Sequence, residues 1–238
     1  MGSFLSLNNT NNSLNNSFSK ASYEKSSTSS KKETIFLFDW DDTLMCTSFV
    51  LSKVQPLSEE EIKIITNLGS KVTKFLEKCS KYGEIIIMTN SSKEWLKKTS
   101  DQYLKIKESF LNNIKIISTR DLYLKNNIKK EKWKEMALNQ LLTKYEDKIE
   151  NLICSSDSEE DINIFKNISK LRKEINVSTI KFKSKPSPLI MIKEIDYLGN
   201  TIFDIIGKNK HYYLIKEKQK NEEFNFPFGS FFDYIFQK

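Results

Sequence analysis

Three closely spaced aspartates near residue 40 are the strongest candidates for metal binding or catalysis. Asp39, Asp41 and Asp42 come directly after the apolar stretch TIFLF. Carboxylates this close raise one another's pKa unless a cation neutralises them, and a tight cluster of hard oxygen ligands favours Mg²⁺. An Asp-rich turn after a buried strand is the alternative interpretation of this segment taken alone.

Two later segments carry polar residues in the same position relative to an apolar run. Thr89 and Asn90 follow EIIIM, and Ser156, Asp157 and Asp161 follow NLIC. Because the carboxyl ends of parallel strands meet at one edge of a sheet, we expect these side chains to converge on the three aspartates. Hydroxyl and backbone N–H groups at a helix N-terminus bind anionic oxygens. Each segment alone also fits ordinary helix capping.

The elements that must position these residues are predicted by hydrophobic periodicity. From Thr34 onward, short apolar runs alternate with amphipathic stretches, a pattern typical of βαβ units around a parallel sheet. The runs predict strands at 34–38, 84–88, 114–118, 151–154 and 178–182. Capping-box pairs predict helix starts at Ser58 with Glu61 and at Ser91 with Glu94, and further helices are predicted at 131–142, 159–173 and 188–206. The predicted fold class is therefore α/β.

The ordered motifs resemble those of a known superfamily. Asp39-x-Asp41-x-Thr43 after an apolar strand, an apolar residue before Thr89, a lysine, and Ser156-Asp157-x-x-x-Asp161 resemble the haloacid dehalogenase superfamily of aspartate-nucleophile phosphohydrolases. The resemblance covers roughly residues 33–185. More closely, DWDDTL, MTN with a tryptophan five residues later, KWKEMA and SDSEED look like a little-characterised plant and protist branch. It implies a Rossmann-like parallel sheet with flanking helices and a phosphatase activity.

The resemblance implies a role for each residue that contacts the phosphoryl group. Asp39 would be the nucleophile that forms an aspartyl phosphate. Asp41 would protonate the leaving oxygen and later activate water. Thr89 would bind a phosphoryl oxygen, with Asn90 beside it at the end of the same strand. Positioning and neutralisation of charge contribute most of the catalysis in such a phosphoryl transfer.

The resemblance also implies a Mg²⁺ site. Asp157 would complete the ligand shell together with the Asp39 carboxylate and the Asp41 carbonyl, and Asp161 would bind the ion directly or lie just behind its ligands. One departure from the superfamily pattern is Ser156, which stands where glycine is usual and which the pattern tolerates.

The phosphate-binding lysine of the superfamily is assigned to Lys134, with Lys132 as the alternative. Lys134 follows Trp133 as in the branch pattern, and the two lysines lie within KKEKWKEM, where a solvated helix face is the ordinary interpretation. Trp40, between the two key aspartates, either lines the site or packs beneath its loop.

The superfamily uses cap insertions to set substrate size, and no large cap domain is expected in this chain. About a dozen residues separate Leu44 from the helix near Ser58, and 90–134 has the pattern of helix, strand and helix. An uncapped site accommodates a phosphorylated protein or another bulky phosphoester as readily as a small metabolite. The alternative function is a catalytically silent binding or scaffold protein, which would have no need for the acid/base residue Asp41.

Composition narrows the class of protein further. The net charge of +7 comes from 38 basic and 31 acidic residues that are interspersed, so phosphorylated substrates are expected and nucleic acid is not. Three widely spaced cysteines predict a reducing, cytoplasmic location. Apolar runs of at most four residues predict no transmembrane helix. His211, the only histidine, lies outside every motif, so catalysis by histidine is not expected.

The two ends of the chain differ from its middle. Residues 1–32 are rich in Ser and Asn and are predicted to form a disordered arm. MGSFLS matches the N-myristoylation pattern at Gly2, which would allow reversible membrane association, but the same start is typical of a cloning scar. Residues 33–207 are predicted to form the catalytic domain. Residues 208–238 form an aromatic C-terminal extension, which either packs back on the domain or docks a partner.

Overall fold

A six-stranded, entirely parallel sheet forms the centre of the protein, which a computed structural model describes at residues 33–53, 56–145 and 148–214. The strand order is β3-β2-β1-β4-β5-β6. The strands are β1 (Glu33–Phe38), β2 (Glu84–Thr89), β3 (Lys115–Ser118), β4 (Ile149–Ser156), β5 (Asn176–Lys181) and β6 (His211–Tyr213). The predicted α/β class and its five strands are confirmed, with slightly shifted ends.

Helices connect successive strands. They are α1 (Thr47–Ser52), α2 (Glu59–Ser80), α3 (Lys93–Thr99), α4 (Glu108–Leu111), α5 (Thr119–Tyr123), α6 (Trp133–Tyr145), α7 (Glu159–Leu171) and α8 (Pro188–Ile205). A π-helical turn, Ser100–Leu104, continues α3, and short 3₁₀ turns occupy Leu124–Asn126 and Lys130–Lys132.

The first predicted capping box is confirmed and the second is wrong by one residue. At the start of α2, the Ser58 hydroxyl accepts from the Glu61 N–H, and the Glu61 carboxylate accepts from the Ser58 N–H. At the start of α3, Ser92 is the cap and accepts from the Trp95 N–H at 3.1 Å. Ser91 lies one residue closer to the end of β2, and its hydroxyl donates to Asp41 instead.

The central strand β1 is buried on both faces, as expected for a parallel sheet with helices on each side. Phe36 and Phe38 pack into one apolar layer with α2 and α8. Ile35 and Leu37 face the other layer, which contains α6 and α7. Because both faces are covered, the loops at the carboxyl edge are where polar side chains of the sheet can meet a ligand.

The start of the C-terminal extension belongs to the sheet. His211–Tyr213 pairs in parallel with β5, a strand that periodicity missed because three residues carry too little pattern. The arm at 1–32 with Gly2, and residues 215–238 of the extension, lie outside the described residues. Among the described helices, none combines the length and the apolar content that a membrane-spanning helix needs.

Candidate active site

The polar residues predicted from the sequence meet where the strand order reverses. β1 is followed along the chain by β2 on one side, while β4 lies on its other side, and a sheet of this kind forms a ligand crevice at that switch point. A cavity of about 740 Å³ opens there. Its lining includes the predicted site residues Asp39, Asp41, Asn90, Lys134, Asp157 and Asp161.

A buried lysine lies at the centre of the acidic residues. The Lys134 ammonium is 2.7 Å from Asp39 Oδ2 and also contacts Asp161, and its side chain is only 5% exposed. Burial alone would lower the pKa of Lys134, but the carboxylates of Asp39 and Asp161 raise it above its ordinary value. Ser156 completes the cluster, because its hydroxyl donates to Asp161 at 2.6 Å. Lys134 is therefore a permanently charged group fixed beside the predicted nucleophile.

Asp39 itself is 10% exposed and is held on both oxygens. The Trp40 N–H donates to Oδ1 at 2.7 Å, while Oδ2 faces Lys134. Burial raises the pKa of the Asp39 carboxyl to about 6, even though Lys134 acts in the opposite direction. A cation in the adjoining cavity would offset this cost of burial.

Asp157 faces the cavity without a partner. Its main chain is fixed, since its N–H donates to Thr43 Oγ1 at 3.0 Å and its carbonyl accepts from Ser184 Oγ at 2.6 Å. Its carboxylate has no hydrogen-bond or ion-pair partner in the described part of the chain. Burial, then the nearby charges of Asp39 and Asp42, raise the pKa of this carboxyl to about 7.

These donors fit a hard cation. Asp39 and Asp157 both keep a raised pKa, although Lys134 acts in the opposite direction on both carboxyls and Lys181 does so on Asp157. No group of three or more His, Cys, Asp or Glu side chains in the described ranges is placed to hold a metal. The predicted shell needs only two carboxylates, because its third protein ligand is the Asp41 carbonyl. Asp161 was predicted to bind the ion directly or to lie just behind its ligands, and its Oδ2 contacts Lys134 and Ser156.

Asp41 has surroundings of a different kind. Its Oδ1 accepts from Thr47 Oγ1 at 2.6 Å and from the Trp95 indole N–H at 3.0 Å. Its Oδ2 accepts from Ser91 Oγ at 2.6 Å and lies 3.3 Å from Thr89 Oγ1. All four donors are neutral. Thr47 and Ser91 were missed as site residues, and Trp95 was noted only as part of a motif. Ser91 and Trp95 meet Asp41 through tertiary packing, whereas Thr47 lies six residues beyond it in the same loop.

The loop that carries Asp41 depends on the third aspartate. Asp42 adopts a left-handed backbone conformation with φ of 54°, and its carboxylate accepts from the Ser48 N–H at 2.8 Å and from the Ser48 hydroxyl. Asp and Asn are among the few residues that tolerate this conformation. The double aspartate in the motif was the available signal for this role, which fixes the loop to the start of α1.

The remaining candidates are placed as follows. Asn90 Oδ1 accepts from the Thr119 hydroxyl at 2.6 Å. Trp40 is fully buried and its indole N–H donates to Thr99 at 3.0 Å, so it packs beneath the loop. Lys132 is exposed and pairs with Glu135 at 2.8 Å, whereas Lys134 reaches the site. His211 lies outside the cavity lining.

A comparison with protein families matches the part of the chain that runs from β1 to the start of α6. Residues 34–132 match the family model described as NLI interacting factor-like phosphatase. This range contains Asp39, Asp41 and Thr89 and ends just before Lys134. The comparison with curated proteins found no match.

Two solved structures from Legionella pneumophila are similar at low identity. The HAD domain of effector protein Lem4 is 11% identical over 74% of this chain and 97% of that chain, with a TM-score of 0.42. Effector Ceg4 with an N-terminal yeast Hog1p sequence is 12% identical over 71% of this chain and 97% of that chain, with a TM-score of 0.36. Both TM-scores lie below 0.5, so neither likeness carries an argument about function. None of these matches bears on the plant and protist branch.

The phosphatase family match covers the strands and loops that present Asp39 and Asp41, and the parallel sheet brings both residues to one cavity with Lys134. The match over residues 34–132 therefore supports a phosphatase of the haloacid dehalogenase superfamily.

Proposed function

We propose that this phosphatase hydrolyses phosphomonoesters in a Mg²⁺-dependent reaction through an aspartyl phosphate on Asp39. The observation that carries the proposal is the cluster of Lys134, Asp39 and Asp157 at the switch point. A buried nucleophilic carboxylate lies next to a fixed ammonium, and a second carboxylate of raised pKa faces the same cavity without a partner.

The first half-reaction transfers the phosphoryl group to the protein. A carboxylate oxygen of Asp39 attacks phosphorus, and the bond from phosphorus to the leaving oxygen breaks. Asp41 gives its proton to that oxygen, so the product leaves as a neutral alcohol. Lys134, positioned before the substrate arrives, offsets negative charge on the phosphoryl oxygens without further reorganisation.

The second half-reaction releases phosphate. Asp41, now ionised, takes a proton from a water molecule as that water attacks phosphorus, and the bond from phosphorus to Asp39 breaks. Asp39, Asp157 and the Asp41 carbonyl would hold Mg²⁺. When bound, the ion supplies positive charge beside the phosphoryl oxygens.

The alternative of a catalytically silent binding protein is not favoured. A fold retained for binding alone would need neither an acid/base residue nor four donors around it, and Asp41 has all four. For the substrate we keep the proposal of a phosphorylated protein or another bulky phosphoester. A cytoplasmic location, with reversible membrane association through Gly2, is likewise a proposal.

Phosphate release by the full chain tests this function. The substrates are 4-nitrophenyl phosphate and a phosphoester panel, each with Mg²⁺ or with a chelator. Asp39→Asn should abolish turnover, and Asp41→Asn should lower it by about 10²–10⁴-fold. The control Asp204→Asn changes an exposed aspartate at the far end of α8 and should leave turnover unchanged.

Beryllium fluoride, which mimics a phosphoryl group on aspartate, gives an independent test. It should raise the melting temperature of the unmutated chain only when Mg²⁺ is present, and should not stabilise Asp39→Asn. Full turnover in Asp39→Asn, or turnover indifferent to the chelator, would contradict the mechanism.

A further inference from the structure

One of the four donors around Asp41 differs chemically from the other three. Thr47, Ser91 and Thr89 offer hydroxyls, which can rotate and either donate or accept. The Trp95 indole N–H, 3.0 Å from Oδ1, can only donate. The two oxygens of Asp41 are therefore not equivalent.

This asymmetry matters when Asp41 carries a proton. In a protonated carboxyl group the carbonyl oxygen accepts a hydrogen bond better than the hydroxyl oxygen does, so the donor-only Trp95 favours Oδ1 as the carbonyl oxygen. The proton then lies on Oδ2, whose partners Ser91 and Thr89 can both turn to accept it. Oδ2 is also the oxygen that lies near Thr89, the residue at the end of β2 that is predicted to bind a phosphoryl oxygen.

We propose that Trp95 is a positioning residue that holds the Asp41 carboxyl with Oδ2 toward the leaving oxygen. The proposal rests on the proposed function, because it concerns the proton that Asp41 delivers there. It assigns a role in the reaction to α3, which the sequence motifs treated only as a flanking helix. Trp95 acts through Asp41 and does not itself transfer a proton.

Hydrogen bonds fix the main chain of Trp95 at both its N–H and its carbonyl. Ser92 caps α3 and accepts from the Trp95 N–H of the main chain, while Thr99 donates to the Trp95 carbonyl at 2.9 Å. The same Thr99 hydroxyl accepts from the Trp40 indole at 3.0 Å. Trp40 lies between Asp39 and Asp41, so the loop with the aspartates and the helix with Trp95 are joined by consecutive hydrogen bonds.

Close helix packing holds this segment in place. An added Cβ at Gly69 of α2 would lie 1.8 Å from the Leu104 carbonyl oxygen, at the end of the π-helical turn that continues α3. Only glycine allows the two helices to approach this closely. The backbone segment that begins with α3 and carries Trp95 is therefore packed closely against α2.

The proposal predicts a dependence on the leaving group. Nitrophenolate departs readily without a proton, whereas benzyl alcohol needs the proton from Asp41. Trp95→Phe keeps a ring and removes the N–H, so turnover of benzyl phosphate should fall about tenfold more than turnover of 4-nitrophenyl phosphate, with KM little changed. Trp133→Phe is the matched control, since the Trp133 indole donates to the Ile128 carbonyl at 2.9 Å. This variant should leave the turnover of both substrates unchanged. Equal losses on both substrates, or no loss, would overturn the proposal.

A second measurement does not depend on activity or on the folding of Trp95→Phe. The chain has three tryptophans, so its ¹⁵N spectrum contains three indole N–H signals. Asp41→Asn should shift the Trp95 signal most, with assignment by Trp133→Phe and Trp40→Phe. If the unmutated chain shows no phosphatase activity, the proposed function fails while this shift still reports the contact. An unshifted Trp95 signal would overturn the positioning role.

Discussion

The two halves of the active site hold the same residue type in opposite surroundings. In the charged half, Asp39 lies against the Lys134 ammonium, with Asp157 and Asp161 nearby. In the neutral half, Asp41 is surrounded by three hydroxyls and an indole. Charge in the first half suits binding of an anionic phosphoryl group and a cation, while adjustable hydroxyls in the second suit a group that must lose and regain a proton. Environment thus divides the work between two carboxylates only two residues apart.

The end of β1 produces this division. The Asp39 N–H still continues the ladder, donating to the Ser155 carbonyl of β4 at 2.9 Å, so Asp39 stays on the β4 side. Asp41 leaves the ladder and contacts residues that follow β2, such as Ser91. The next residue, Asp42, turns the chain with its left-handed backbone conformation. One strand end therefore supplies both halves.

Apart from replacement of Asp39 or Asp41 themselves, the largest expected effect comes from removing the charge at the centre of the charged half. Lys134→Met should lower turnover by about 10²–10³-fold, because a fixed charge beside the phosphoryl oxygens is lost. It should also lower the free energy of unfolding by about 3–5 kcal/mol, because Asp39 and Asp161 are left buried without a counter-charge. Enzyme kinetics and urea unfolding measure the two effects. Lys132→Met is the control, because Lys132 only forms an exposed ion pair with Glu135 and its loss should change neither quantity measurably. Equal effects in Lys132→Met and Lys134→Met would contradict the role given to Lys134.

Replacing Asp161 separates two roles within the charged half. Asp161→Asn keeps the shape but loses the charge that holds Lys134, so we expect a loss of about 2 kcal/mol in the free energy of unfolding. If Asp161 positions Lys134 and does not bind the metal, the Mg²⁺ concentration for half-maximal turnover should be unchanged. Asp157→Asn should raise that concentration. A rise of similar size in the Mg²⁺ requirement of Asp161→Asn would indicate that Asp161 is a metal ligand.

Asp157 should make stability depend on pH in the absence of metal. The folded pKa of about 7 lies above the ordinary value of 3.8, so between these values the folded chain keeps a proton that the unfolded chain has lost. The free energy of unfolding should therefore fall as the pH rises from about 4 to about 7. At pH 8 with a chelator, Asp157→Asn should melt roughly 3–6 °C above the unmutated chain, as expected for about 1.5 kcal/mol. Mg²⁺ should remove that difference, and a difference that persists would contradict the metal site.

The smallest effect is expected in the neutral half, where neighbouring serines form a matched pair. Ser91→Ala removes a donor to Asp41 and should lower turnover by about tenfold, the equivalent of 1.4 kcal/mol, with little change in melting temperature. Ser92→Ala removes the cap of α3 and should lower the free energy of unfolding by about 1 kcal/mol with turnover nearly unchanged. Enzyme kinetics and thermal melts of both variants measure these effects on turnover and on stability. The reverse pattern would mean that the predicted register, with Ser91 as the cap, was right after all.

The features that depend on local chemistry could be predicted from the amino-acid sequence. Alternating apolar runs specified the strands, the Ser58 and Glu61 pair specified the start of α2, and Asp39 and Asp41 after an apolar strand specified the predicted phosphatase motif. Such features follow from residues a few positions apart, where periodicity and capping act directly.

The contacts between side chains from different strands could not be predicted in this way, because they depend on the tertiary fold. The helical spacing of Lys132 and Lys134 shows that at most one can face the site, but the packing of α6 buries Lys134 against Asp39. Ser91 and Trp95 lie 50 and 54 residues from Asp41 in sequence, so no local sequence pattern predicts their contacts with it. These contacts form because parallel pairing places the end of β2 beside the end of β1. Strand register and helix packing then set the distances from Ser91 and Trp95 to Asp41, and neither can be derived from local sequence.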